Sequence, residues 1–336
     1  MTGSTARPGT PVARAGGLPD AVAADEVLGR LDTFAGRRRS LRLLTGGLTN
    51  RNYQVTVSGR ERYVARFSSP KSALLAIDRE AEFRNSTAAA AAGIGPEVVE
   101  FSPEEGVLIV KWIDGRTFDD AILDDPTQLT RVADACRQLH AGPSFVSEFD
   151  MFEVQRRYLA IVQEFGFRLP PDYLTFEPAV RRIEAALRAT AGPPVPCHND
   201  LLAANIMDDG ERLWLIDFEY SGNNDPCFEL GNVWSEAALP PDRLEHLVGA
   251  YFGAPSPLQT ARARLYALMA KYGWTLWASI QNAVSDVDFD FWDWGMEKYA
   301  RACAEFRGPG FEQLLTTIRE SDRIEGAEPW PSPAHH

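Results

Sequence analysis

Residues 196–207 read PCHNDLLAANIM and set His198, Asp200 and Asn205 close together beside apolar side chains. Just downstream, LWLIDFEY ends an apolar run on Asp217 and Glu219. An ionised carboxylate without a partner is costly to bury, so acids in such surroundings have a cation, a metal or several donors against them. The side-chain carbonyl of Asn205 is a hard oxygen ligand of the kind that suits Mg²⁺. Phosphoryl transfer needs these parts. One carboxylate accepts the proton of the attacking hydroxyl, and an amide with a second carboxylate holds the Mg²⁺ that neutralises a triphosphate. A His-based metallohydrolase would need more imidazole ligands than this chain offers, because it has 5 His and two of them are the terminal His335 and His336.

These residues need elements to hold them. RNYQVTV alternates Tyr53, Val55 and Val57 on one face and, with RYVARF across an SGR turn, predicts a hairpin. IDREAEFRNSTAAAAAG predicts a helix stopped by Gly93. EVVEF and GVLIVKWI predict a second strand pair, followed by a turn and hinge at DGRTF. Beyond residue 115 the pattern becomes helical, with helices expected at LTRVADACRQLH, 151–166, 177–190, 240–252, 258–283 and 291–306. The chemistry-bearing stretch sits among them as a strand-loop-strand unit. The expectation is a two-lobed α+β fold, with a small β-rich lobe before a larger helical one. Residues 20–113 would bind nucleotide and 114–325 would carry catalysis and the acceptor. Residues 1–19 and 326–336 are expected to be loose tails.

Composition narrows the function further. The 336 residues are 45% hydrophobic and carry a net charge of -13, a globular and acidic balance. Nucleic-acid binding needs a basic face and is excluded on this reading. No run reaches the length of a bilayer span, so no membrane insertion is expected. The four cysteines, Cys136, Cys197, Cys227 and Cys303, form no C-x-x-C pair, and the N-terminus has no apolar signal core. Both point to a cytoplasmic protein, and the phosphoryl-transfer parts at 196–219 ask for a small-molecule hydroxyl acceptor as its partner.

H-x-D-x-x-x-x-N followed by I-D-F resembles the catalytic and metal loops of the protein-kinase superfamily. Glu219 in place of the glycine of D-F-G, together with HNDL and DFEYSGNNDPCFELGN, resembles the choline/ethanolamine kinase branch, itself related to the aminoglycoside phosphotransferases. The resemblance covers roughly residues 40–305 and implies a protein-kinase-like fold. It makes Asp200 the catalytic base, and Asn205 and Asp217 ligands of Mg²⁺, with Glu219 near a second metal. His198 would be structural, bonding the backbone around Asp217.

On the nucleotide side, GGLTN ahead of a strand resembles the phosphate loop of choline kinases, which implicates Gly46, Gly47, Thr49 and Asn50 in binding ATP (or GTP). Glycines there let backbone N–H groups approach phosphates. Arg66 stands where protein kinases carry the strand lysine, with Glu82 as its expected partner and Glu80 as the alternative. The hinge VKWIDG, residues 110–115, would meet the base around Lys111 and Ile113. On the acceptor side, Trp274 and Trp277 share a helix face with Gln281. Aromatic residues at this spacing ordinarily just pack. Choline kinases, however, carry a similar W-x-x-W helix followed by an aromatic in a D-aromatic pair, here Trp294, and Glu236 matches an acidic position that faces the ammonium. Asp225 and Glu229 are lesser candidates. Aromatic faces suit a quaternary ammonium, so choline or a related amino alcohol is the first acceptor expected. Antibiotic or natural-product phosphorylation on the same fold is the alternative.

Overall fold

The computed structural model describes residues 18–45, 47–69 and 74–324, with side chains to residue 320. The expected tails lie outside the described residues, apart from Leu18 and Pro19, and so does Gly46. Leu18 and Pro19 are held, since Arg51 donates to the Leu18 carbonyl at 2.8 Å and the Tyr53 hydroxyl to that of Pro19 at 2.9 Å.

Strands β1 (Arg39–Leu44), β2 (Asn50–Val57), β3 (Glu61–Ser68), β4 (Val98–Ser102) and β5 (Val107–Lys111) form one antiparallel sheet in the order β1-β2-β3-β5-β4. Tyr53, Val55 and Val57 of β2 all point inward, where they pack with Tyr63, Ala65 and Phe67 of β3. Helix α1 (Ala21–Leu28), capped by Asp20, closes that core with Ala24 and Leu28. Helix α2 (Arg79–Ala91) starts at Asp78, whose side chain accepts from the amides of Glu80 and Ala81. Its alanine run propagates the helix at little entropic cost, and Gly93, at φ +74, ends it.

The remainder is mostly helical. It comprises α3 (Asp120–Leu123), α4 (Pro126–His140), α5 (Met151–Phe165), α6 (Glu177–Ala189), α7 (Pro226–Glu236), α8 (Pro241–Phe252), α9 (Pro257–Val284), α10 (Phe291–Arg307) and α11 (Gly310–Ile324). Two small sheets carry the loops between them. β7 (Val195–Cys197) pairs with β10 (Gly222–Asn224), while β6 (Arg116–Thr117), β8 (Ile206–Asp208) and β9 (Leu213–Leu215) form the other.

The long helix α9 is the axis of this lobe, with α5, α7, α10 and α11 packed along it. Helix α7 presses in so closely that a Cβ on Gly231 would collide with the carbonyl oxygen of Ala263. The sequence reading has no helix at α7, for a physical reason. Every residue from Pro226 to Ser235 is buried, so no polar face alternates with an apolar one and the 3.6-residue period disappears. The absence of α1 and α11 from that reading has no such account. Among the described residues, no helix is long and apolar enough to cross a membrane.

Candidate active site

The catalytic loop leaves β7 through His198, Asn199 and Asp200. Asn199 has φ +66 and Asp217 has φ +71, the left-handed region that Asn and Asp tolerate better than other non-glycine residues. Asn199 is locked there. Its amide nitrogen donates to the carbonyls of Cys197, Tyr220 and Gly222, and its oxygen accepts from Asn224 at 2.9 Å. The backbone amides of His198 and Asn199 both donate to Glu229 on α7, each at 2.8 Å. Burial alone would raise the Glu229 carboxyl, but the His140 imidazole, 3.7 Å away, and the bond from the His198 backbone hold it below its ordinary value.

His198 bridges the two loops. Its Nε2 donates to the carbonyl oxygen of Ile216 at 2.7 Å and its Nδ1 accepts from the Asp200 amide at 3.3 Å, so the geometry assigns the Nε2–H tautomer. Asn205 donates its amide nitrogen to the Asp200 carbonyl at 2.8 Å, which leaves Oδ1 as its ligating atom. Burial first, then the charges of Asp217, Glu236 and Glu219, push the Asp200 carboxyl well above its ordinary range, while Lys298 opposes them.

Arg66 on β3 sits at the centre of a carboxylate group. It lies 3.1 Å from Glu82, 2.5 Å from Asp217 and 2.9 Å from Glu219. Glu80 pairs with Arg84 instead. A second cation, Arg79, joins from the first turn of α2, at 2.6 Å from Glu82 and 3.2 Å from Glu219, and donates to the Asn50 side chain at 3.0 Å. Arg79 escaped the sequence reading because an arginine at a helix start looks like a solvated charge. Glu219 takes hydrogen bonds from Thr49 and Asn50, each at 2.8 Å, as well as from the two arginines. Burial would raise its carboxyl, but Arg66 and Arg79 hold it low. Burial keeps that of Asp217 raised against Arg66.

A divalent cation fits Asp217 better than Glu219. The Asp217 side chain is part-exposed and its Oδ1 pairs with Arg66, whereas Glu219 is nearly buried and both its oxygens take hydrogen bonds from Thr49, Asn50 and the arginines. Gly47 is hemmed in, since a Cβ there would lie 2.8 Å from the Asn50 carbonyl oxygen. A cavity of about 550 Å³ opens between this loop and the end of α9, lined by Gly47, Leu48, Thr49 and Gln281. At the hinge, the Lys111 ammonium stands 4.8 Å from the Tyr63 ring centroid, and half-buried Ile113 follows Trp112, whose indole donates to Asp114 at 3.1 Å.

The expected acceptor residues fall into two joined groups. Trp277 meets Trp294 at 5.4 Å between centroids and Phe291 at 5.7 Å. Trp274 meets Tyr220 at 5.1 Å, and the Tyr220 hydroxyl accepts from the Trp277 indole at 2.8 Å. Glu236, at the end of α7, is ion-paired to Lys298 of α10, whose ammonium also stands 4.3 Å from the Trp294 centroid. Asp225 caps α7 and pairs with buried Arg262, away from an acceptor role.

The sequence model of the phosphotransferase enzyme family matches residues 40–268. Protein LicA of Haemophilus influenzae is 26% identical over 255 residues, covering 70% of this chain and 72% of its own. Mouse (Mus musculus) ethanolamine kinase 2 is 28% identical over 247 residues, covering 65% of this chain and 63% of its own. Among solved structures, a choline/ethanolamine kinase family protein from Mesorhizobium loti superposes with a TM-score of 0.76 at 31% identity, across 88% of this chain and 99% of that one. The chain belongs to the phosphotransferase enzyme family, in its choline/ethanolamine kinase-like branch, and is a kinase that uses a nucleotide donor and an alcohol group as acceptor.

Proposed function

We propose that this kinase phosphorylates the hydroxyl of a small amino alcohol, choline or a related molecule, with Mg²⁺-ATP (or GTP) as donor. The observation that supports the reading is that Glu236 and Lys298 both act electrostatically on Asp200, and that this ion pair lies against Trp294, with the Lys298 ammonium 4.3 Å from the ring centroid. A carboxylate and indole faces beside a base suit a cationic acceptor better than the carboxylate-lined sites that many-amine antibiotics need.

In this reading Asp200 takes the hydroxyl proton, and its raised affinity for protons suits that work near neutral pH. Asp217 and Asn205 would hold Mg²⁺, which supplies charge neutralisation to the triphosphate. Arg66 and Arg79 draw phosphate oxygens toward the loop at Gly47, Thr49 and Asn50, with Glu82 fixing both guanidinium groups. Lys111 and Ile113 border the base. Glu219 acts as the tie between the phosphate loop and the metal loop, and not as a ligand of a second ion. Four buried cysteines, none in a disulfide among the described residues, support a reducing, cytoplasmic setting.

The test is a nucleotide-consumption screen with choline, ethanolamine, representative aminoglycosides and nucleoside antibiotics. Turnover confined to the amino alcohols is expected. Turnover confined to an antibiotic would replace this reading with the alternative.

A further inference from the structure

We propose that Lys298 is a specificity-determining residue, a built-in ammonium that occupies the place of a quaternary one, so that the acceptor's nitrogen must carry N–H. The inference rests on the amino-alcohol reading above and narrows it.

Lys298 is 3% exposed, so it is part of the site's interior and not a surface charge. Its ammonium pairs with Oε2 of Glu236 and stands 4.3 Å from the Trp294 centroid. One carboxylate oxygen and one indole of the expected cage therefore already face a cation. Trp277 is packed edge-to-face with Phe291 and Trp294, and its indole N–H is spent on Tyr220. Trp277 and Trp294 are thus engaged within the chain, while the buried indole N–H of Trp274 has no partner among the described residues.

What is unmet is hydrogen bonding. Oε1 of Glu236 is buried and has no hydrogen-bond partner among the described residues. One turn earlier on the same face of α7, the fully buried amide of Asn232 has neither its nitrogen nor its oxygen paired. A buried acceptor of this kind asks for a donor. A protonated primary, secondary or tertiary amine supplies an N–H to Oε1. A trimethylammonium supplies only methyl groups, leaves Oε1 unmet and still meets the like charge of Lys298. Sites built to hydrogen-bond a substrate reject the analogue that lacks the group more strongly than apolar pockets reject a change of size.

The experiment measures kcat/KM for ethanolamine and its mono-, di- and trimethylated forms, in the wild type, Lys298→Met and Lys298→Arg. Wild-type kcat/KM is expected to fall along the series, by roughly tenfold or more at the last methylation, where the final N–H is lost. Lys298→Met keeps the length and removes the charge, so choline should gain on ethanolamine with the KM for ATP unmoved. Lys298→Arg keeps the charge and should keep the wild-type order, which separates specificity from folding should the methionine variant be unstable. Wild-type protein that uses choline as well as ethanolamine, or a methionine variant with an unchanged ratio, overturns the inference while the amino-alcohol reading stands. No turnover of any of the four, with an antibiotic phosphorylated, overturns both.

Discussion

The hydroxyl of Thr49 donates to Oε1 of Glu219 at 2.8 Å, across 170 positions of sequence. The bond ties the phosphate loop of one lobe to the metal loop of the other, and Asn50 repeats it on Oε2. Thr49→Val keeps the shape and removes the donor. The KM for nucleotide should rise by roughly tenfold or more, the worth of one hydrogen bond to a charged group, with the acceptor KM unchanged. Steady-state kinetics with each substrate varied in turn checks it, and a rise confined to the acceptor would place Thr49 elsewhere in the mechanism.

Asp200→Asn should leave the fold and nucleotide affinity intact and lower kcat by roughly two to four orders of magnitude, because the hydroxyl loses its proton acceptor. In the wild type, a base with a raised pKa protonates at a higher pH than an ordinary aspartate. Activity should therefore fall as pH drops through a value above the usual range near 4. Residual activity of the variant should lack that acid limb. Near-wild-type turnover would remove Asp200 from the mechanism.

Asp217→Ala should weaken Mg²⁺-nucleotide binding, since a part-exposed hard oxygen ligand is lost and Arg66 has one partner fewer. Calorimetric titration of nucleotide with and without Mg²⁺ reads this directly. An affinity unchanged in both conditions would break the metal assignment.

Glu229→Gln leaves one of the two loop amides without an acceptor and should cost about 1–3 kcal/mol. Because the folded pKa of Glu229 is depressed, its share of stability is present above the ordinary carboxylate value near 4.3 and lost as pH falls through the folded value. Denaturant melts of both proteins from pH 7 downward should converge on the acid side. Equal stability at pH 7 would show that Glu229 does not hold the loop.

The local part of this molecule was legible in its residues. The alternation of Tyr53, Val55 and Val57 gives the strand, Gly93 ends the helix, and H-x-D-x-x-x-x-N keeps its whole apparatus within one loop. What was hidden depends on contacts between distant segments. Arg79 reaches the carboxylates only because α2 folds over the sheet, and Asn199 reveals its role only through Tyr220, Gly222, Asn224 and Glu229, all far along the chain. The pairing of Glu236 with Lys298 joins residues 62 positions apart, so the spacing of the tryptophans does not display the ammonium that already faces Trp294.

Helix α7 has one further consequence. Glu229, under the catalytic loop, and Glu236, at the acceptor end, lie seven residues apart, two turns on nearly the same face and about 10 Å along the axis. With Asp200 and Glu236 in their proposed roles, a buried helix clamped against α9 is a fixed gauge between the reacting hydroxyl and the group proposed to recognise the rest of the acceptor. On the proposed reading α7 sets the chain length of the acceptor, and Glu236 of α7 reads its far end together with Lys298 and Trp294 of α10. Substitutions on α10 can then shift the preferred molecule with the machinery of transfer left undisturbed.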